Sequence, residues 1–385
     1  MLSFYTMVLI IAISCSIITI KTLVGYTSMP IVAKLLISLV VLYSWFAPAL
    51  NNIIKKGNFL PDNIYPVIYN FGYFMFGLTV ILVVLILTRD ISWGVAHALK
   101  RFLPFNVPPL TDNALLVKAN IYTVALMFLI GFYALYEGIR EPRIKEITIS
   151  SPKITTETTI ALIADLHVTR GSSPKTIKNI VDKTNSLNAD IIGLAGDIID
   201  DVPNLIEAQL EELSKLKAKD GVYVSLGNHE VYRGVMSSMA SFKKMGIKLL
   251  MNEGIRFPKT NLYFAGTPDY PTSSYSPMLT INMKNTLQNS KEGDYVVALS
   301  HSPAFIRTLK NNEIDLQLSG HTHGGQIFPF HFITKRQNAG LLAGLYDVDN
   351  MKAYVSRGTR YWGPPMRILA PSEITLIRLK PKQND

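Results

Sequence analysis

The sequence predicts two architectures in one chain: an all-α membrane region of four transmembrane helices, followed by a layered α/β domain. Two observations carry this. Four long apolar runs follow one another before residue 140, and beyond residue 153 short apolar runs alternate with stretches of helical spacing. A third observation points to function. Histidines and carboxylates gather just after the short apolar runs, at the C-terminal ends of the predicted strands, where open α/β sheets bind their ligands.

Of the 385 residues 48% are hydrophobic, and they are spread unevenly. The formal net charge is +10, with +5 on either side of Glu146, so no basic stripe is concentrated in one domain and no nucleic-acid partner is expected. Basic residues flanking membrane segments instead suit contact with the anionic head groups of membrane lipids. The one cysteine, Cys15, lies in the first apolar run. An intramolecular disulfide and a thiolate metal site are both excluded, and any metal must be held by nitrogen and oxygen.

The membrane region is expected over residues 1–140. Its first span, about 2–20, is free of charge and lacks the basic start and small-residue cleavage pattern of an export signal, so it is expected to be retained. The second, about 29–50, contains Lys34, which can snorkel, and Pro48, which kinks or ends it. The third, 64–88, is charge-free, with Tyr65, Tyr69 and Tyr73 toward one end as in an interfacial aromatic belt. The fourth covers about 117–137. Between the third and fourth, near 91–105, Trp93, Val95, Leu99 and Phe102 interleave with Lys100 and Arg101, which predicts a helix lying on the membrane surface. Lys and Arg counts on the two sides tie at six each. The uncharged start of the first helix, with Lys21 after its end, predicts an outside N-terminus, and four crossings then place the C-terminal domain outside as well.

Residues 141–153, bracketed by Pro142 and Pro152, read as a linker into a domain over 154–385. Strands are predicted at 159–164, 191–195, 222–226, 263–265, 295–299, 316–318, 353–356 and 374–379, and helices at 173–187, 203–216 and 236–245. Five of these strands end in polar blocks: Asp165-Leu166-His167, Gly196-Asp197, Gly227-Asn228-His229-Glu230, Ser300-His301, and Gly320-His321-Thr322-His323. Singly, each block is turn or capping chemistry. Five in succession, each ending a strand, describe a metal site. Imidazoles, carboxylates and an amide without thiolate suit borderline-to-hard divalent ions such as Mn, Fe or Zn. The adjacent Asn228 and His229 suit one residue to bind metal and the next to move a proton. His97 and His331 have no such placement and read as structural.

Asp165-x-His167, Gly196-Asp197-x-x-Asp200, Gly227-Asn228-His229-Glu230, His301 and Gly320-His321-x-His323 together resemble the five ordered motifs of the calcineurin-like metallophosphoesterases. Gly324-Gly325-Gln326, Ser356-Arg357-Gly358 and the stretch 364–369 are similar, more particularly, to the membrane-associated bacterial branch of the phosphodiesterases YaeI and YkuE. The resemblance implies an α/β fold of four layers, two β-sheets flanked by helices. It implies that Asp165, His167 and His323 hold one divalent ion, that Asn228, His301 and His321 hold another, and that Asp197 bridges them. A water or hydroxide between the ions is then the nucleophile toward a phosphate ester or pyrophosphate. His229 is implied as the proton donor to the leaving oxygen, with Asp200 orienting its ring and Asp201 the alternative. Arg170, Arg233, Arg357 and Arg360 are candidate phosphate clamps.

Together these readings predict a multi-pass phosphoesterase of the cell's inner (plasma) membrane, its catalytic domain extracytoplasmic and its substrate lipid-linked. A transporter or sensor with a regulatory or catalytically silent metal-binding domain is the alternative. The spans lack the intramembrane charge that a translocation path needs.

Overall fold

A computed structural model describes residues 4–25, 27–57, 59–102, 104, 107–109, 113–309 and 314–382. Residues 2–3, 103 and 105, which fall within predicted helices, and 310–313 and 383–385 of the predicted domain lie outside the described residues. The chain divides into two compact units, Met1–Tyr136 with Gly363–Met366, and Glu137–Trp362 with Arg367–Asp385.

The first unit contains α1 (Phe4–Val24), α2 (Ile31–Gly57), α3 (Tyr65–Ala98) and α4 (Asn113–Ile139), all long and apolar enough to cross a membrane. Large apolar side chains on each of them stand exposed, among them Ile17, Leu39, Val67 and Leu129. In water such surfaces are unfavourable; against lipid they are the expected exterior. Polar side chains tie the helices together. Asn51 Nδ2 donates to Tyr69 O at 3.0 Å, and Asn120 Nδ2 donates to Thr22 O at 2.7 Å.

The separate surface helix expected near 91–105 is corrected by the structure. Residues 91–98 continue α3, which ends in one 3-10 turn at Lys100–Phe102. The charges at Arg89 and Asp90 do not end the helix, because Arg89 pairs with Asp90 at 2.7 Å and donates to Asn120 Oδ1 at 2.7 Å, and no proline follows before Ala98. At about 1.5 Å per residue, its 34 residues span about 51 Å, well beyond a hydrocarbon core of about 30 Å.

In chain order, the second unit is built from β1 (Arg143–Ser151), β2 (Thr158–Ile163), α5 (Pro174–Asn185), β3 (Ile191–Ala195), α6 (Glu207–Leu213), β4 (Val222–Ser225), α7 (Asn228–Lys244), β5 (Lys248–Leu249), β6 (Glu253–Phe257), β7 (Leu262–Gly266), α8 (Met283–Thr286), β8 (Tyr295–Leu299), β9 (Leu316–Ser319), α9 (His331–Gln337), β10 (Gly344–Val348), β11 (Met351–Val355) and β12 (Glu373–Pro381). They form two six-stranded sheets, ordered β1-β12-β2-β3-β4-β5 and β10-β11-β9-β8-β7-β6. The period of two in each strand divides the core. On β2, Ala161 and Ile163 pack under α5, α6 and α7, whereas Ile160 and Leu162 meet Phe264, Val297 and Leu318 of the other sheet. Because the central strands bury both faces, they read as continuous apolar runs.

The expected linker at 141–153 is likewise corrected. It contains β1, an edge strand paired in parallel with β12 along its whole length, from Arg143 opposite Glu373 to Ser151 opposite Pro381. Ile144 faces the helix side and Ile149 the inter-sheet core, while Lys145 and Glu146 stay exposed. Charges on an exposed edge hide a strand from an apolar-run reading.

Candidate metal centre

The five polar blocks sit where β2, β3, β4, β8 and β9 end, so adjacent strands deliver them to one rim of the two sheets. The backbone is unusual there. Of the twelve non-glycine residues with left-handed φ among the described residues, five are expected ligands: Asp165 (52°), His167 (44°), Asp197 (53°), His321 (70°) and His323 (49°). Each such conformation costs about 1–3 kcal/mol, and the clustering marks a place where side-chain direction is held against local preference.

The side chains converge in three groups whose candidate ligand atoms all lie within 4.8 Å of one another: Asp165, His167 and His323; His167, Asp197 and His229; Asp197, His301 and His321. His167 Nε2 lies 3.0 Å from His323 Nε2, and His301 Nε2 lies 3.1 Å from His321 Nδ1. Asp197 Oδ2 stands between these pairs, 3.7 Å from His167 Nε2 and 3.2 Å from His301 Nε2. The Oδ1 atom of the same carboxylate accepts from His229 N at 2.8 Å, which aims Oδ2 at the histidines. Asn228 Oδ1 is buried and has no hydrogen-bond partner.

This donor set fits two divalent ions. Imidazole nitrogens facing each other at hydrogen-bond distance, twice over, beside an orphaned amide oxygen and a shared carboxylate, satisfy one another poorly without cations. The outer ring atoms are already fixed. His301 Nδ1 lies 2.8 Å from Ala195 O and His323 Nδ1 lies 3.2 Å from Arg360 O, so both present Nε2 inward.

Of Asp200 and Asp201, Asp200 is the one that lies beside the His229 ring. Its Oδ1 lies 2.7 Å from His229 Nδ1 and its Oδ2 3.3 Å from His167 Nδ1. Asp201 instead accepts from the backbone of Arg170 and Val202. The candidate clamps have partners within the protein: Arg233 pairs with Asp200 at 2.9 Å, Arg357 with Glu373 at 3.0 Å, and Arg360 donates to Ser172 Oγ at 2.6 Å. His97 and His331 enter none of the three groups.

Residues 158–325 match the calcineurin-like phosphoesterase family. Over 261 residues the chain is 35% identical to an uncharacterized metallophosphoesterase of Helicobacter pylori, covering 66% of this chain and 69% of that relative. This chain is a calcineurin-like metallophosphoesterase. It is also 29% identical over 237 residues to the uncharacterized metallophosphoesterase YkuE of Bacillus subtilis, covering 57% of this chain and 78% of that one. A Danio rerio protein described as a transmembrane protein with metallophosphoesterase domain is 28% identical over 276 residues, covering 68% of this chain and 63% of its own. The fold, two mixed sheets flanked by helices beyond four apolar helices, agrees with the architecture that the motifs imply.

Two features of the metallophosphoesterase site had no signal in the sequence. Glu230 is fully buried, and its carboxylate accepts from four backbone N–H groups: Gly227 at 2.7 Å, Asp197 at 3.0 Å, Ile198 at 2.7 Å and Ile199 at 2.8 Å. It ties the loop after β3 to the start of α7. Arg367 is also fully buried; it donates to Arg360 O at 2.6 Å, Ala370 O at 2.7 Å and His323 O at 3.2 Å, and so braces the backbone behind His323. Gly227 explains itself by space. A Cβ there would collide with the Asp197 carboxylate and backbone nitrogen. Gly227→Ala is expected to push Asp197 out of line and lower both bound metal and hydrolysis, measured by elemental analysis and phosphate release on the same preparation.

Two histidines of the site, His229 and His301, hold their protons more tightly than a free imidazole. Burial would lower the pKa of His229, but the Asp197 and Asp200 carboxylates outweigh it and raise it to about 9. His301 moves well above its ordinary value against the same burial, chiefly through Asp197. A histidine whose folded pKa is raised contributes stability that is present below its unfolded value of 6.5 and lost as pH rises through the folded one. Chelated protein is therefore expected to lose about 3 kcal/mol of stability from His229 between pH 6.5 and pH 9. His229→Gln should flatten that slope in unfolding curves taken across the range.

Proposed function

We propose that this metallophosphoesterase is a membrane-anchored, dinuclear-metal enzyme of the plasma membrane that hydrolyses a phosphate ester or pyrophosphate bond of a lipid-linked substrate. The observation that supports the two-ion reading is the position of Asp197 Oδ2 between two facing histidine pairs. In this reading Asp165, His167 and His323 hold one ion, Asn228, His301 and His321 the other, and Asp197 both. The ions are Mn, Fe or Zn by the chemistry of the donors. When bound, they supply Lewis-acid charge to the phosphoryl oxygens and an activated water.

The remaining work falls to the chain. Asp197 supplies the anion that offsets two neighbouring dications. His229, its Nδ1 held by Asp200, presents Nε2 toward the shared carboxylate at 3.9 Å and donates its proton to the departing oxygen. His229→Ala is accordingly expected to retain metal while slowing hydrolysis by about a hundredfold to ten-thousandfold, most for esters with poor leaving groups. Loss of both ions in that variant would contradict the division of roles.

The lipid-linked substrate is supported by the four apolar helices on the same chain, which hold the catalytic domain beside a bilayer. The test is metal analysis of purified protein with a phosphate-release screen across lipid-linked and nucleotide esters, in detergent and in bilayers. Equal rates on soluble nucleotides would contradict the lipid part. The extracytoplasmic side for the domain is supported by the uncharged start of the first helix, with Lys21 after its end, since the charge counts tie; labelling a cysteine at the exposed Asn289 in intact cells tests it.

A further inference from the structure

Beyond the metal ligands, the catalytic unit carries a run of large apolar side chains at its surface. Phe328, Phe330, Phe332 and Ile333 are exposed at 43%, 42%, 69% and 56%, and Trp362 and Leu369 at 53% and 69%. Ordinary soluble surfaces scatter such residues singly. Here the backbone gathers them. Gln326 Nε2 donates to Trp362 O at 2.9 Å, Trp362 N returns a bond to Gln326 Oε1 at 2.9 Å, and Ile368 N donates to Gln326 O at 2.8 Å. The Phe328 ring packs edge-on against Phe332, with centroids 5.9 Å apart.

Charge distinguishes this face from a protein-binding patch. Lys335 and Arg336 stand exposed on α9 directly after the aromatic residues, and no Asp or Glu occurs from Gly324 to Tyr346. Aromatic and aliphatic side chains beside exposed basic ones, with no acid among them, match the head-group region of an anionic bilayer in both its apolar and its charged layers. One edge of the face reaches the chemistry, because the Trp362 ring meets the His229 ring edge-on at 5.7 Å.

We propose that this face docks on an anionic lipid surface. Phe328, Phe330, Phe332 and Ile333 enter the interface, and Lys335 and Arg336 meet lipid phosphates. A lipid-linked ester then passes along Trp362 to the metal centre while its chain stays in the bilayer. The docking stands on the surface alone; the passage of substrate rests on the lipid-linked reading above.

The test uses the full chain with Cys15→Ser, carrying a nitroxide on Phe332→Cys or on Lys217→Cys as an exposed control, in phosphatidylcholine vesicles containing phosphatidylglycerol. The label at 332 is expected to relax with lipid-soluble oxygen and to be shielded from an aqueous nickel chelate, and the label at 217 to do the reverse. A label at 332 as open to nickel as that at 217 overturns the docking, and so does one shielded from both reagents, which would mean that a protein or a second copy covers the face. In the same vesicles, Phe332→Asp with Ile333→Asp is expected to lower kcat/KM on a lipid phosphodiester by roughly tenfold, with the rate on a soluble aryl phosphodiester unchanged. If the 332 label sits in the bilayer while the unmutated protein cleaves both esters equally, the docking is upheld and the lipid-linked reading fails.

Discussion

Asp197→Asn is expected to lower phosphoester hydrolysis by at least about a thousandfold, and to do so with the fold intact. The substitution is a clean one. Asparagine tolerates the left-handed backbone at position 197, and its Oδ1 still accepts from His229 N. What changes is Oδ2, which stands 3.2 Å from His301 and 3.7 Å from His167. An amide nitrogen there removes the negative charge that lets two dications lie close together, and it turns a donor toward them. Bound metal per chain should fall with activity. Full hydrolysis by the variant would contradict the assignment of Asp197 as the shared ligand.

The largest stability effect is expected at Glu230. Glu230→Ala leaves the N–H groups of Gly227, Asp197, Ile198 and Ile199 without an acceptor in a fully buried place. At about 1–3 kcal/mol for each unsatisfied donor, the loss is about 4 kcal/mol or more, which corresponds to a fall of roughly 10 °C in the unfolding midpoint of the catalytic domain. Hydrogen exchange should quicken at residues 197–199 and 227 before it does elsewhere in the central strands. A midpoint within about 1 °C of the parent would show that water replaces the carboxylate, and that Glu230 does not hold the loops together.

What the sequence made legible follows from burial. β2, β3, β4, β8 and β9 bury both faces, so their apolar runs stand out, and the polar blocks at their ends mark the rim where the ligands converge. Strands at the sheet edges are solvated on one side or both, and β1 reads as a linker for that reason. The start of α7 was hidden by Gly234, whose φ of 118° breaks the helical period six residues after Asn228. Glu230 and Arg367 were silent because their partners are chiefly backbone atoms, whose positions no side-chain pattern records. The charge at Arg89 inside α3 is met by Asn120 on the next helix, a tertiary contact that no run of apolar residues records.

In the proposed function, two ions shared through Asp197 would make this chain a phosphoester hydrolase. Metal content and hydrolysis measured together on the purified full chain, before and after chelation and again after readdition of Mn, Fe or Zn, test it most directly. Active protein is expected to hold two ions per chain, to lose activity as they are removed, and to recover it when they return. Undiminished hydrolysis by chelated protein containing neither ion would contradict it.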